Sequence, residues 1–450
     1  MKNSGFDLLK LRASWGRLGN NSIGNYDYQA TYKAHNYSFN NVLLNGVAVS
    51  AFANNALRWE TTTSTDIGID IGVLNNRLTA EIDLYNKLTD GILYRPTIYL
   101  TAGTATAPLE NIAEVTNRGI ELTVGWRDSV KDFSYSVKGN FAFNQNRVSK
   151  YKGALKEYWD EAESGLRTYV SNIGEVSTGS STRILEGHTI NEYYLLTPYK
   201  GDASYFDDFG MVNINGGPKD GMIRTEMDMA WLKAMVAAGY DFRPMQGVGK
   251  DKIWYGDYIY ADVDGDGVYG NTYDNVFTGK SATPKFTFGI QANFAWKGID
   301  LQMSFAGAAG FWLYWNETGA INTGTRLGYN LMSYIANDHY FYDPENPLDP
   351  RTNTISKNAR LTANEGNNQQ GEKSILHLYK GDYLKMKNLT IGYTLPEKYA
   401  SKAFMKGLRV YVSGENLFSI TSYPGQDPEM GAGMGYVTMR QISLGANLTF

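Results

Sequence analysis

Residues 284–310 read PKFTFGIQANFAWKGIDLQMSFAGAAG, and their alternation decides the fold class. Phe286, Phe288, Ile290, Ala292, Phe294 and Trp296 fall on one face of an extended segment, with Thr287, Gly289, Gln291 and Asn293 on the other. A turn at Gly298 leads into Leu301, Met303 and Phe305, which alternate with Gln302, Ser304 and Ala306. The stretch predicts an antiparallel hairpin with one greasy face and one small or polar face.

The same two-residue period runs through the rest of the chain. Ile67, Ile69, Ile71 and Val73 share a face, as do Leu78, Ala80, Ile82 and Leu84, with Asn75 and Asn76 at the turn between them. NRGIELTVGWR and FSYSVKGNFAFN form another pair, joined near Asp128 and Ser129. With LLKLRASWG, YLKMKNLTIGYTL, GLRVYVSGENLF and YVTMRQISLGANLTF the count reaches roughly ten to twelve strands, many near the ~9–11 residues that cross a bilayer at a tilt. The phase switches between Met386 and Leu389, which predicts a bulge near Asn388. Connections are tight after Val73 and Trp296 but long over 38–56, 146–185, 199–250 and 310–375, the outer-membrane pattern of short turns on one rim and long loops on the other. The last strand sets Ile442, Leu444, Ala446, Leu448 and Phe450 on one face, an edge that a barrel pairs with its first strand. The predicted fold is therefore all-β: an antiparallel transmembrane β-barrel with long extracellular loops.

Composition agrees with that expectation and excludes several alternatives. Tyr (33), Phe (19) and Trp (9) are abundant beside 48 Gly, as interfacial aromatic girdles and long sheets require. A formal charge of −4 argues against a nucleic-acid-binding surface. The absence of cysteine removes disulfides and thiol catalysis. A mean hydropathy of −0.38 is neutral evidence, because a barrel hides its lipid face in every second residue. No apolar run long enough for a transmembrane helix occurs, and MKNSGFDLLK lacks the apolar centre of a signal peptide.

Three constellations bear on chemistry. In YADVDGDGVYGNTYDNVF, Asp262, Asp264 and Asp266 alternate before Gly267, and the Val268 carbonyl stands where an EF-hand loop uses a backbone ligand, a spacing that gathers hard oxygens for a structural Ca²⁺. The twelfth position is Tyr273 in place of a bidentate Glu, with Asp274 next, so a loop that merely caps its own backbone remains an alternative. Trp312, Tyr314 and Trp315, and also Tyr199, Tyr205 and Phe206, supply rings that either stack on sugar faces or sit at a membrane interface. In RTEMDMAWLKAMVAAGYDF, Met227, Trp231, Met235 and Ala238 recur at helical spacing before Gly239, which predicts a packing or partner-binding helix. His35, His188, His339 and His377 are scattered without a zinc-site partner, and no hydrolase, phosphate-loop or dinucleotide motif appears, so no enzyme is predicted.

Several ordered segments resemble one family. WYGDYIYADVDGDGVYG with TGKSATPKFTFGIQANFAWKGIDLQMSFAGAAG, LYKGDYLKMKNLTIGYTLP, GLRVYVSGENLFSITSYPGQDPEM and the closing GYVTMRQISLGANLTF look like the SusC/RagA-like TonB-dependent outer-membrane transporters of Bacteroidetes, and LRASWGRLGN is similar to a family strand and turn. The resemblance implies a barrel of about 22 strands around a plug, of which residues 1–450 would be the C-terminal half, without the signal peptide, carboxypeptidase-like domain, plug or TonB box. It also implies an outer-membrane, multi-pass location in contact with lipid, a SusD-like lipoprotein lid, TonB coupling through the N-terminal part, and import of a nutrient, with the aromatic loops pointing to an oligosaccharide. Half a barrel would leave two open edges, which hydrocarbon does not tolerate, so this polypeptide alone is expected neither to form a pore nor to transport. A surface glycan-binding or adhesion barrel without active transport is the alternative.

Overall fold

The computed structural model describes residues 5–21, 23–95, 103, 105–151, 155–160, 166–171, 182–315, 331–362, 373–433 and 435–450. Residues 1–4, and parts of the connections 146–185 and 310–375, lie outside the described residues.

Ten strands form one antiparallel sheet in which each pairs with its neighbours in sequence. They are β1 (Phe6–Asn20), β2 (Glu60–Val73), β3 (Leu78–Tyr94), β4 (Glu110–Val130), β5 (Phe133–Tyr151), β6 (Phe286–Trp296), β7 (Ile299–Ala309), β8 (Tyr383–Thr394), β9 (Gly407–Thr421) and β10 (Gln441–Thr449). The alternation carries from strand to strand in register. One apolar row runs Leu11, Ile69, Ile82, Leu122, Phe141, Phe288, Gly307, Leu384 and Ile420 from β1 to β9. A slip of one residue would put every member of this row on the opposite face, so the pattern fixes the register. The bulge lies at Lys387: Ser304 pairs with Asn388 and Phe305 with Met386, leaving one residue over.

The expected closed barrel does not form. Among the described residues, strand β1 pairs only with β2 and β10 only with β9, so the sheet ends on two free edges. Closure requires first and last strands to meet in a common register, and the Ile442–Leu448 face that was to close against β1 has its ladder on β9 alone. The transmembrane strands and the multi-pass barrel location expected from the sequence fall with it, because strands cross hydrocarbon only in a closed wall. Nor is the chain all-β. Short helices accompany the strands, which makes it a mixed, largely antiparallel fold.

Turn geometry places the connections. The tight turns at 74–77, 131–132 and 297–298 carry positive φ at Leu74, Asn75, Asn76, Lys131, Lys297 and Gly298, the conformation that two- to four-residue hairpins need. The β4–β5 turn thus falls at Lys131–Asp132, beyond the Asp128–Ser129 position that alternation suggested. The connection 395–406 between β8 and β9 shares the end of the tight turns; the longest connections leave the opposite end, and two of them, β5–β6 and β7–β8, fold together around a core of their own. Trp231, Leu232, Met235, Met222, Ile223, Phe242, Ile253, Ile259 and Tyr340 are almost wholly buried there. Helix α1 (Glu226–Ala237) enters this core by a capping box between Thr225 and Asp228, and Gly239 follows at φ +100°. Its buried face is Met229, Trp231, Leu232 and Met235, whereas Met227 is exposed. The two connections are tied by Tyr258 Oη donating to Lys357 O (2.7 Å), Tyr340 Oη to Arg224 O (2.6 Å) and Arg360 Nε to the buried Asp257 (2.9 Å).

The polar face of the sheet repeats one device. Arg12 on β1 reaches Asp83 on β3 (2.9 Å) across Gly68 on β2, and Arg409 on β9 reaches Asp300 on β7 (2.9 Å) across Gly392 on β8. A Cβ at Gly392 would come within 2.6 Å of both Arg409 and Asp300. The glycine keeps the middle strand low enough for its neighbours to pair over it. Replacing Gly392 by Val is expected to cost about 1–2 kcal/mol, measured as a lowered denaturation midpoint. In an Asp300→Asn, Arg409→Gln background the same replacement should cost much less, and an equal cost in both backgrounds would contradict the device.

Candidate functional site

The Asp/Gly loop is held at both ends by the core of the long connections. Ile259 and Tyr260 are buried ahead of it, and Tyr269 after it stacks on Phe242 at 4.8 Å. Within the loop, Asp262 accepts from Gly265 N (2.8 Å) and Gly267 N (3.0 Å), glycines at φ +77° and +82°. The 3-10 turn Thr272–Asp274, capped by Asn271, curls Asp274 back toward the start of the loop, where it accepts from Gly270 N (2.8 Å), Asn271 N (3.0 Å) and Val263 N.

Asp262, Asp264 and Asp274 thereby offer oxygens that all lie within 4.8 Å of one another. This trio is a group able to hold a metal ion. Of the positions singled out by spacing, Asp262 and Asp264 are in it. Asp266 instead accepts from Val268 N (2.7 Å) and Asn271 Nδ2 (2.9 Å), and Val268 lies in a two-residue strand parallel to Asp241–Phe242. The third carboxylate, Asp274, is the residue just past the twelfth loop position, and only the backward 3-10 turn brings it in. The donor set fits a hard divalent cation: it is all oxygen, and Asp264 Oδ2 is shielded from solvent without a hydrogen-bond partner among the described residues. Burial pushes the Asp274 carboxyl up to about 7 against its three backbone donors, and burial with the charges of Asp266 and Asp262 pushes Asp264 up to about 6.

The aromatic candidates separate by exposure. Trp312–Tyr314 pairs with Leu378–Lys380, but Tyr314 and Trp315 are 8% and 2% exposed, packed on Tyr193 and His377 and on Tyr423 and Tyr379 respectively. Trp312 is partly exposed; its N–H donates to Ser281 O (2.9 Å) and its carbonyl accepts from Tyr193 Oη (3.2 Å). Tyr199 stacks on Trp231 at 5.4 Å, Tyr205 Oη donates to Asp228 (2.9 Å), and Phe206 stays exposed. Tyr199, Lys200, Tyr240, Asp262, Asp266 and Tyr269 are among the residues lining a cleft of about 670 Å³ beside the acidic loop. Sequence reading missed this cleft, which joins segments far apart in the chain. It also missed His188 and Glu192, whose Nδ1 and Oε2 lie 3.0 Å apart four residues along the chain, a spacing that was there to be read.

Residues 5–217 match the family described as TonB dependent receptor-like, beta-barrel. Over 98% of its length the chain is 28% identical to TonB-dependent receptor P3 of Formosa agariphila and 24% identical to TonB-dependent receptor SusC of Bacteroides thetaiotaomicron, covering 39% and 37% of those proteins. The chain thus spans about two-fifths of the length of the curated relatives it matches. In fold it is similar to the RagAB peptide transporter (TM-score 0.66, 23% identity, 98% of this chain and 41% of that one) and to the RagAB peptide importer in its open-open state (TM-score 0.68, 23% identity, 100% and 41%).

The carboxyl shifts have a definite sign. Both folded-state values lie above the unfolded value near 3.8, so their contribution to metal-free stability is present below about pH 4 and is lost as pH rises through 6 to 7. Asp274→Asn should remove part of the fall in melting temperature between about pH 5 and pH 8. Unchanged pH slopes in wild type and variant would contradict the assignment.

Proposed function

We propose that this chain, a homologue of the SusC/RagA-like TonB-dependent receptors, works in an outer-membrane importer of nutrients, energised through TonB and acting with a SusD/RagB-like surface lipoprotein. The observation that carries this reading is the match to TonB-dependent receptors along 98% of the chain, and membership of a receptor and transporter family accords with a non-enzymatic role. The subdomain built by the long connections supplies the ligand and partner surface. Phe209, Met211, Leu348 and Ile355 are 92, 67, 92 and 88% exposed on it, which suits a protein partner more than solvent.

The imported nutrient in this reading is an oligosaccharide, contacted at Trp312, with Tyr314 and Trp315 buried against their own aromatic neighbours, and the Asp262, Asp264 and Asp274 group holds a structural Ca²⁺ that fixes the neighbouring cleft, with Asp266 and Val268 bracing the loop. Support for the sugar is the partly exposed indole among hydrogen-bonding loops. Support for Ca²⁺ is the all-oxygen donor set.

Two results test the reading. Tagged protein extracted from its native outer membrane should co-purify a SusD/RagB-like lipoprotein, and Phe209→Glu with Leu348→Glu should cut the recovery by about tenfold while the fold is retained. Deleting the gene should abolish growth on its glycan. Growth and uptake unchanged by the deletion, with the surface glycan still bound by wild type, would favour a binding protein without transport.

A further inference from the structure

Two lysines meet over one indole. Lys280 Nζ stands 3.8 Å from the centroid of the Trp312 ring and Lys380 Nζ stands 6.0 Å from it. Lys380 is placed by the strand pair Trp312↔Lys380, and Lys280 by its own backbone, whose N–H donates to Thr278 Oγ1 (3.3 Å) and whose carbonyl accepts from Tyr193 N (2.9 Å). Neither makes an ion pair with a carboxylate among the described residues, although Arg12, Lys150, Arg360, Lys385, Lys387 and Arg409 all do.

The carboxylates at hand are engaged elsewhere. Glu192, adjacent to the Lys280 turn, accepts from Gly279 N (2.6 Å) with one oxygen and faces His188 with the other, and Asp382 accepts from Gly310 N (2.8 Å). Burial, and then the charge of Lys380, push the Lys280 ammonium down. The arrangement has two donors of positive charge, a partly exposed aromatic rim and, among the described residues, no anion paired with either lysine.

We propose that Lys280, Lys380 and Trp312 form a subsite for the carboxylate of an acidic sugar, so that the glycan handled here carries uronic-acid units; the inference rests on the oligosaccharide reading above. A carboxylate bridging the two ammonium groups removes their repulsion through charge-assisted hydrogen bonds, while the ring that bears it meets the exposed edge of the indole, whose face Lys280 covers. A phosphate site would present backbone N–H groups, and those of Trp312 and Lys280 already donate within the protein. An extended peptide would reach the lysines through a flexible acidic side chain and leave the indole unused, so a rigid ring bearing its own carboxylate fits the arrangement better.

The test is equilibrium binding to the purified protein of a panel of galacturonate, glucuronate and mannuronate oligomers, their neutral methyl esters, maltotetraose and an oligoglutamate peptide. At least one uronate oligomer should bind about tenfold or more tightly than its ester. Lys280→Met with Lys380→Met should erase that margin, weakening uronate binding about tenfold more than ester binding, and Lys280→Arg with Lys380→Arg should restore it. Equal binding of acids and esters overturns the carboxylate subsite while the glycan reading stands. Binding of the peptide alone, or of no glycan, overturns both.

Discussion

Everything distinctive in this chain follows from where the sheet can turn. Three connections of four residues or fewer, with left-handed backbone at Asn75, Asn76, Lys131 and Lys297, fix the antiparallel ladder at one end and send the longest segments to the other. There, segments of the β5–β6 and β7–β8 connections bury Trp231, Met235, Ile253 and Tyr340 against one another. That shared core gives otherwise irregular backbone the rigidity to hold a carboxylate trio, while the separate Trp312–Tyr314 and Leu378–Lys380 pairing brings Lys380 to the Trp312 ring. Tight turns thus determine, at a distance, where chemistry can occur.

The sheet itself is a two-faced object. An apolar row runs from β1 to β9, and the polar face is knitted by pairs that skip a strand, Arg12 to Asp83 over Gly68 and Arg409 to Asp300 over Gly392. Such pairs couple strands that share no backbone hydrogen bond, so they stiffen the sheet across its width. They also explain part of the glycine content: at these positions the requirement is room above the strand, and no turn is involved.

Most of the sheet was legible because a strand writes its own burial pattern. The hairpin at 284–310, the turn asparagines and the bulge beside Asn388 follow from local phase, and so does the helix ending before Gly239. Closure was not legible and was wrongly expected, because it depends on which strand lies beside β1 and β10, and alternation within a strand says nothing of its neighbour. The site was legible only in fragments. Asp262 and Asp264 stood out by spacing, but Asp274 joins them through a 3-10 turn. Lys280, Trp312 and Lys380 lie in three separate segments, and their meeting depends on the Trp312–Tyr314 and Leu378–Lys380 pairing.

The central claim is that the subdomain formed by the long connections faces the outside, where ligand and partner arrive. The chain has no cysteine, so a single one at Leu348, which is 92% exposed, is a clean reporter within it. Intact cells producing Leu348→Cys should react with a membrane-impermeant maleimide to the same extent as lysed cells. Reaction only after lysis would place the subdomain on the inner side and contradict the account.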